Sequence, residues 1–321
     1  ALTGLATDDR AKSRMDAAQH MGLDKLAQEA ITAIDWATES VASLDWPGGL
    51  TVRYIAMVGA LRAMVSASHA LPAGSFAADL KDLERIVAKV ERACGKLLRS
   101  SKALALKGLY VIVDPTLTRE RDPLQITSDV VAGGATAIQL RVKTQDKGRW
   151  WSLAKEMQQL CAELGVIFFI NDHPDVAVSC GADGVHLGQY DLSVSNVEAI
   201  LRPWHLVGTS NALISEIAES LRNDVDYVAV GRIFPTKSKS NTRPAGLSTL
   251  HAARTLLPNS GPPLIAIGGI TVDNAAQIAM AGADCMCVIG AATLASDPRT
   301  ACIGLLDAFE AGMAKSPRSP I

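Results

Sequence analysis

The chain has 321 residues, of which 48% are apolar and 20% are charged, a balance typical of a globular protein with a sizeable core. Its formal net charge of −2 gives no basic excess, which argues against nucleic-acid binding, so any anion site has to be built locally. The sequence contains no run of about 18 apolar residues, so no membrane span is predicted, and residues 1–10 lack the features of a signal peptide.

The cysteine pattern bears on the compartment. The six cysteines form no CxxC pair, and Cys285 and Cys287 fall in an apolar, strand-like run. We therefore expect buried free thiols and a reducing compartment. A cytoplasmic location is expected, and import into an organelle stays open because the first residue is not Met.

Three helical runs are predicted in the N-terminal part. Apolar residues recur at three- and four-residue steps over residues 23–44, 51–71 and 75–97, the period of one helix face. We predict a small all-α domain over residues 1–100 that has no chemical cluster of its own. Packing or homo-oligomerisation is its expected role. A cap over the following domain and a remnant of a fused activity are the alternatives.

The pattern then changes, because short apolar, β-branched runs alternate with helical stretches. The eight runs are LYVIVD, AIQLR, VIFFIND, GVHLG, HLVGTS, YVAVG, LIAIGG and CMCVIG. Eight alternating units imply parallel strands and favour a (β/α)₈ TIM barrel over residues 101–314. A doubly wound sheet is the alternative, but the first strand ends in Asp114-Pro115 without a glycine-rich fingerprint. Residues 100–107 are a linker or a helix that closes the barrel bottom, and residues 315–321 are expected to be a disordered tail.

Glycine turns follow the last two strands. Active sites of TIM barrels lie at the carboxyl ends of the strands, and the loops after strands seven and eight recurrently bind phosphate. Backbone N–H groups at such turns point towards an anion. We therefore predict a monophosphate site made by Gly268, Gly269, Ile289 and Gly290.

Cations lie at the ends of other strands. Alternation along the second strand points Gln139, Arg141 and Lys143 to one side, and Lys239 follows the sixth strand. Arginine supplies a planar fork and lysine a point charge. We predict that Arg141, Lys143 and Lys239 face a second, more highly charged phosphate group.

Two carboxylates, Asp172 and Asp191, stand beyond the third and fourth strands. They are hard oxygen ligands that suit Mg²⁺, which prefers few carboxylates together with substrate phosphates. We interpret His173 as a loop residue, whereas His186 either packs inside the barrel or contacts substrate. No nucleophile–base pair stands out, which favours a mechanism with little acid–base work over hydrolysis through a triad.

Four longer segments carry a family resemblance. QLRVK, FFINDHPDVAVSCGADGVHLGQYDL, YVAVGRIFPTKSK and IAIGGITVDNAAQIAMAGADCMCVIGA resemble the thiamine-phosphate synthases, in order, over residues 106–304. The resemblance implies that 4-amino-2-methyl-5-hydroxymethylpyrimidine diphosphate is joined to hydroxyethylthiazole phosphate, which gives thiamine phosphate and diphosphate. A dissociative substitution assisted by Mg²⁺ is expected. The helical N-terminal part lies outside the resemblance.

The resemblance also implies a role for individual residues. Asp172 and Asp191 are expected to hold Mg²⁺, and Ser210 to lie near the pyrimidine and the leaving group. The thiazole phosphate is expected to be held by the two glycine turns together with Thr236 and Ser238. The diphosphate site is expected to comprise Gln139, Arg141, Lys143, Asn171 and Lys239.

The sequence departs from the family pattern in several places. Arg232 stands where the family usually has proline, and Ser238 where threonine is commoner. Gly290 stands where serine is frequent, so the backbone N–H is kept but a hydroxyl is lost. Weaker affinity for the thiazole phosphate is the expected consequence.

Two other functions compete with the synthase. A related thiazole tautomerase shares the barrel but needs an acid–base histidine after the strand-five serine, and Ala212 and its neighbours supply none. A non-catalytic phosphate-binding barrel is the second alternative. The retained carboxylates and Lys239 argue against both.

Overall fold

The computed structural model describes residues 85, 88, 91–92, 95–143, 146–236, 243–257 and 261–316. The chain divides into two compact units, residues 1–93 and residues 94–321. Of the first unit only four residues are described, and all four are helical. The first two helical runs predicted from the sequence, and residues 317–321 of the predicted tail, lie outside the described residues.

The second unit contains a closed barrel of eight parallel strands, each paired with the next and the last with the first. The strands are β1 Gly108–Val113, β2 Ala137–Leu140, β3 Ile167–Asn171, β4 Gly184–Leu187, β5 Leu206–Asn211, β6 Tyr227–Gly231, β7 Leu264–Ile267 and β8 Cys285–Val288. Each lies where the sequence predicted a strand, and helices alternate with the strands. The predicted TIM-barrel fold is therefore confirmed.

The helices of this unit are numbered along the described part of the chain. They are α1 (residues 95–103), α2 Pro123–Ala132, α3 Lys147–Glu163, α4 Pro174–Cys180, α5 Val194–Val197, α6 Ile214–Arg222, α7 Gly246–Leu256, α8 Ala275–Met280, α9 Gly290–Thr293 and α10 Pro298–Met313. A 3₁₀ turn, Pro115–Leu117, follows β1. No helix in the described ranges is long and apolar enough to cross a membrane.

Strand residues alternate between two apolar layers. Side chains such as Val111 and Val228 pack with the helices outside the barrel, whereas Tyr110, Phe169 and Tyr227 pack together inside it. A Cβ atom at Gly208 would lie 1.9 Å from the ring of Tyr227. Glycine is therefore required at this position of β5, because it leaves the space that the tyrosine ring occupies.

Helix α1 and Leu106 close the amino-terminal end of the barrel. Leu106 is fully buried and Ala103 nearly so, and both pack with residues at the starts of the strands. Ion pairs hold the same helix, from Lys96 to Asp224, from Arg99 to Asp226 and from Lys102 to Asp183. The sequence left two interpretations for residues 100–107, a linker or a helix that closes the barrel, and the structure has the closing helix. It begins before the predicted domain boundary at residue 100 and belongs to the barrel unit.

Candidate active site

The carboxyl-terminal ends of the strands surround a cavity of about 510 Å³. Most of the residues predicted for the site line this cavity: Gln139, Arg141, Asn171, Asp172, Asp191, Ser210, Thr236, Gly268, Gly269, Ile289 and Gly290. Lys143 is exposed after β2 and is not among the lining residues. Ser238 and Lys239 lie outside the described residues.

Arg141 has a buried carboxylate partner that the sequence pattern did not indicate. Its Nη1 donates to Asp114 Oδ2 over 2.7 Å, and both side chains are almost fully buried. The other carboxylate oxygen of Asp114 accepts bonds from the backbone N–H and the hydroxyl of Thr116, at 3.0 and 2.6 Å. Strand pairing places Val113 beside Leu140, so the residues that follow them, Asp114 and Arg141, also lie side by side. Asp114 therefore fixes the direction of the guanidinium at the cavity wall.

The two predicted metal ligands both line the cavity. Asp172 directly follows β3 with a φ of 62°, and its N–H donates to the carbonyl of His186 over 2.9 Å. One carboxylate oxygen of Asp191 accepts the N–H of Gly188 at 2.6 Å. Within the described ranges no group of three or more His, Cys, Asp or Glu residues gathers. Asp172 and Asp191 could hold a hard cation only if oxygen atoms from substrate or water completed its coordination shell.

A row of hydrogen-bonded polar side chains runs through the barrel interior from Gln139 to Ser210, both of which line the cavity. Gln139 Nε2 donates to the hydroxyl of Tyr110 at 2.6 Å, and this hydroxyl lies 3.3 Å from that of Tyr227. His186 is bonded through Nδ1 to Tyr227 and through Nε2 to Ser210, both at 2.8 Å. Ser210 and His186 therefore form a contact between a hydroxyl and an imidazole, although the sequence indicated no such pair. His186 both packs inside the barrel and lines the cavity.

Two features of this row bear on its chemistry. Burial raises the pKa of the phenols of Tyr110 and Tyr227 well above the usual value, so both stay protonated. The side-chain oxygen of Gln139 is buried and has no hydrogen-bond partner in the part of the chain that the structure describes. A buried acceptor without a partner calls for an explanation, and Gln139 is also one of the residues that line the cavity.

The glycine turn after β7 depends on its glycines. Gly268 and Gly269 have φ values of 105° and 67°, a region that other residues rarely adopt. A Cβ at Gly268 would lie 2.8 Å from the Cα of Arg232, and one at Gly269 would lie 2.5 Å from the carbonyl oxygen of Pro235. The turn thus packs its backbone against the loop after β6, and both glycines line the cavity.

Arg243 lines the cavity as well, although the sequence pattern did not indicate it. It forms an ion pair with Glu216, whose carboxylate also accepts the N–H groups of Ala212 and Leu213 at 2.8 and 3.1 Å. Arg232, noted from the sequence as a departure from the family pattern, lines the cavity as well. Two arginines therefore lie on the β6 side, opposite Arg141.

Comparisons with known proteins agree with this geometry. A family profile described as thiamine monophosphate synthase matches residues 109–292. The chain is similar to the thiamine-phosphate synthase of Shouchella clausii, with 36% identity over 63% of this chain and 96% of the relative. It is similar also to that of Laribacter hongkongensis, with 38% identity over 59% and 89%.

A solved structure extends the likeness to three dimensions. The thiamine phosphate pyrophosphorylase from Pyrococcus furiosus aligns with a TM-score of 0.60 and 33% identity, over 66% of this chain and 98% of that one. The family that the sequence motifs predicted is therefore confirmed by profile, sequence and fold. This chain belongs to the thiamine monophosphate synthase family.

Proposed function

We propose that the chain is a thiamine-phosphate synthase, a transferase that joins the pyrimidine diphosphate to the thiazole phosphate and releases diphosphate. The observation that carries the proposal is the cavity itself, which combines a fixed arginine, two carboxylates and a glycine turn within one volume. Those groups match a substrate pair that brings a diphosphate and a monophosphate to one site.

The diphosphate is proposed to lie beside Arg141 and Asn171, with Lys239 completing the cationic side. We propose that Asp172 and Asp191 hold Mg²⁺, because two carboxylates in a cavity that accepts phosphate oxygens fit the preferences of this ion. The ion would neutralise charge on the diphosphate as it departs. The side chain of Lys143 is exposed, and we propose that it contacts the diphosphate from the rim of the cavity.

The pyrimidine is proposed to lie over the inner wall of the cavity, near Ser210. Gln139 lines this region, and we propose that its side-chain amide hydrogen-bonds with the exocyclic amine of the aminopyrimidine. The amine makes the ring electron-rich, which stabilises the cation left when the carbon–oxygen bond breaks. We therefore assign Gln139 to the pyrimidine rather than to the diphosphate.

The thiazole phosphate is proposed to occupy the opposite side, on Thr236, Ser238 and the turns after β7 and β8. Its ring nitrogen attacks the carbon from which diphosphate leaves, and this nitrogen carries no proton to be removed. The chain's task is to hold the two reactants close and to stabilise the departing charge. No general base is required, and the histidine that lines the cavity, His186, is bonded through Nδ1 to the phenol of Tyr227.

The decisive assay supplies the purified chain with both substrates and Mg²⁺ and measures thiamine phosphate and diphosphate. Formation of both products in equal amounts is expected, and omission of either substrate should abolish it. Absence of product together with tight binding of the thiazole phosphate would instead favour a phosphate-binding barrel. Isomerisation of a thiazole carboxylate phosphate would favour the tautomerase.

Lys239→Ala tests the cationic side. We expect a fall in kcat of at least about a hundredfold, because one preorganised charge contact contributes on this scale. Lys315→Ala, an exposed lysine beyond α10, is the matched control and should keep the full rate. A near-normal rate for Lys239→Ala would remove this lysine from the mechanism.

We propose a reducing compartment, the cytoplasm, as the place of action. All cysteines in the described ranges are free and buried, namely Cys161, Cys180, Cys285, Cys287 and Cys302. Burial raises the pKa of the Cys161 and Cys302 thiols to about 12, which keeps them as unreactive thiols.

A further inference from the structure

The Ser210–His186 contact has the geometry of a nucleophile and its base. The group bonded to the other nitrogen of the imidazole, however, is not the carboxylate that a catalytic triad requires. In hydrolytic triads a carboxylate holds the imidazole and stabilises the imidazolium that forms. Here the third group is the phenol of Tyr227, which stays protonated and is buried with Tyr110. A protonated phenol does not stabilise an imidazolium as a carboxylate does, so the row does not have the composition of a hydrolytic triad. Another role is needed for His186.

The order of donors along the row can be worked out from its first bond. Gln139 donates to the hydroxyl of Tyr110, so the single proton of Tyr110 is directed to the hydroxyl of Tyr227. The proton of Tyr227 is then directed to Nδ1 of His186. The imidazole is left with its proton on Nε2, which donates to the oxygen of Ser210. Each group thus donates to the next one along the row, from Gln139 to Ser210.

The consequence falls on Ser210. Its oxygen receives a hydrogen bond from within the protein, so its own proton has no acceptor in the row and points into the cavity. If the row ran the other way, Ser210 would donate to His186 and could only accept hydrogen bonds from a ligand. The direction of the row therefore decides whether the serine acts on substrate as a donor or as an acceptor.

We propose that His186 is a positioning residue, fixed by Tyr227 as the tautomer protonated on Nε2, which turns the hydroxyl of Ser210 into a donor to the leaving oxygen of the diphosphate. The chemical half of this proposal rests on the proposed function. As the carbon–oxygen bond breaks, its electron pair stays on that oxygen. Ser210 keeps its proton and hydrogen-bonds to the growing charge, so no proton is transferred and no further reactant is needed.

The tautomer can be measured without substrate. The chain has six histidines, and ¹⁵N-histidine labelling with long-range ¹H–¹⁵N correlation reports which ring nitrogen of each carries the proton. The signals of His186 are identified by their loss in His186→Asn. We expect protonation on Nε2 in the wild type and a loss of this preference in Tyr227→Phe. Protonation on Nδ1 in the wild type would overturn the proposal.

Two substitutions at the same position separate positioning from packing. The amide nitrogen of glutamine reaches the place of Nε2, whereas asparagine reaches only as far as Nδ1. We expect His186→Gln to retain most of kcat and His186→Asn to lower kcat at least about tenfold with little change in KM, since one oriented donor is lost. His251→Asn, at an exposed position of α7, is the control and should keep the wild-type rate. Equal kcat values for the Gln and Asn variants, with both folded, would overturn the positioning role.

The two buried tyrosines provide a second matched pair. Both are fully buried, but only Tyr227 bonds directly to His186. Tyr227→Phe should therefore lower kcat more than Tyr110→Phe, since each keeps its ring and loses only a hydroxyl. The reverse order would contradict the proposal. A wild-type chain that makes no thiamine phosphate would refute the proposed function instead, and the tautomer would still be decided by the NMR measurement.

Discussion

Asp114 and Arg141 form a buried ion pair that joins the ends of β1 and β2, with Oδ2 and Nη1 2.7 Å apart. Loss of one charge from a buried pair leaves the other uncompensated, which costs about 3–5 kcal/mol. The carboxylate also sets the direction in which the guanidinium presents its remaining N–H groups to the cavity. One substitution should therefore affect stability and substrate binding together.

We expect Asp114→Asn to lower the free energy of unfolding by about 3 kcal/mol, because the amide leaves Arg141 without a charged partner. The KM for the pyrimidine diphosphate should rise in the same variant. Asp224→Asn is the control, since its pair with Lys96 is mostly exposed and contributes about 1 kcal/mol or less. Urea unfolding and steady-state kinetics measure both effects. Equal stability of the two variants would show that the buried pair contributes no more than a surface pair.

Local patterns predict the barrel because the apolar periodicity of each segment indicates whether that segment is a strand or a helix. Side-chain partners are different, since Arg141 and Asp114 are 27 positions apart, as are Arg243 and Glu216, and His186 and Ser210 are 24 apart. Those pairs arise only when the strands close into a ring with a definite register. The sequence therefore indicates which residues reach the cavity rim, but not which of them face one another.

Gly268→Ala is expected to disturb the thiazole side of the cavity. Its positive φ and the approach of Arg232 Cα leave no room for a Cβ, so the turn has to shift, at a cost of at least about 1 kcal/mol. We expect a higher KM for the thiazole phosphate and a smaller change for the pyrimidine diphosphate. Gly148→Ala is the matched control, because nothing lies within 4 Å of its Cβ position in α3. Unchanged KM values in Gly268→Ala would exclude this turn from the phosphate site.

Leu106→Ala tests how the barrel is closed at its amino-terminal end. Leu106 is fully buried in the barrel interior, and truncation of such a leucine costs about 2–5 kcal/mol. Leu104 is 61% exposed only two positions earlier, so Leu104→Ala should leave stability within about 0.5 kcal/mol of the wild type. Urea unfolding of the two variants makes the comparison. Similar losses in both would mean that Leu106 does not contribute as a core residue.

Stability should fall as the pH drops below the ordinary pKa of histidine. His205 is buried, and its burial holds its pKa below the usual 6.5, while its Nδ1 accepts the N–H of Arg202 at 3.0 Å. The unfolded chain therefore binds a proton at a pH where the folded chain does not. The stability gained from the neutral ring is complete above pH 6.5 and is lost as the pH falls from there towards the folded pKa.

His205→Asn isolates this contribution. Asparagine keeps an acceptor at the place of Nδ1 but does not titrate, so the variant should show a shallower decline of unfolding free energy between about pH 7 and pH 5. Part of the slope should remain, because burial and then Lys147 lower the pKa of His173 as well. The comparison uses urea unfolding at constant ionic strength, with His251→Asn as an exposed control that keeps the wild-type slope. If His205→Asn also kept the full slope, the loss of stability would have to come from other groups, and the buried ring of His205 would titrate as it does in the unfolded chain.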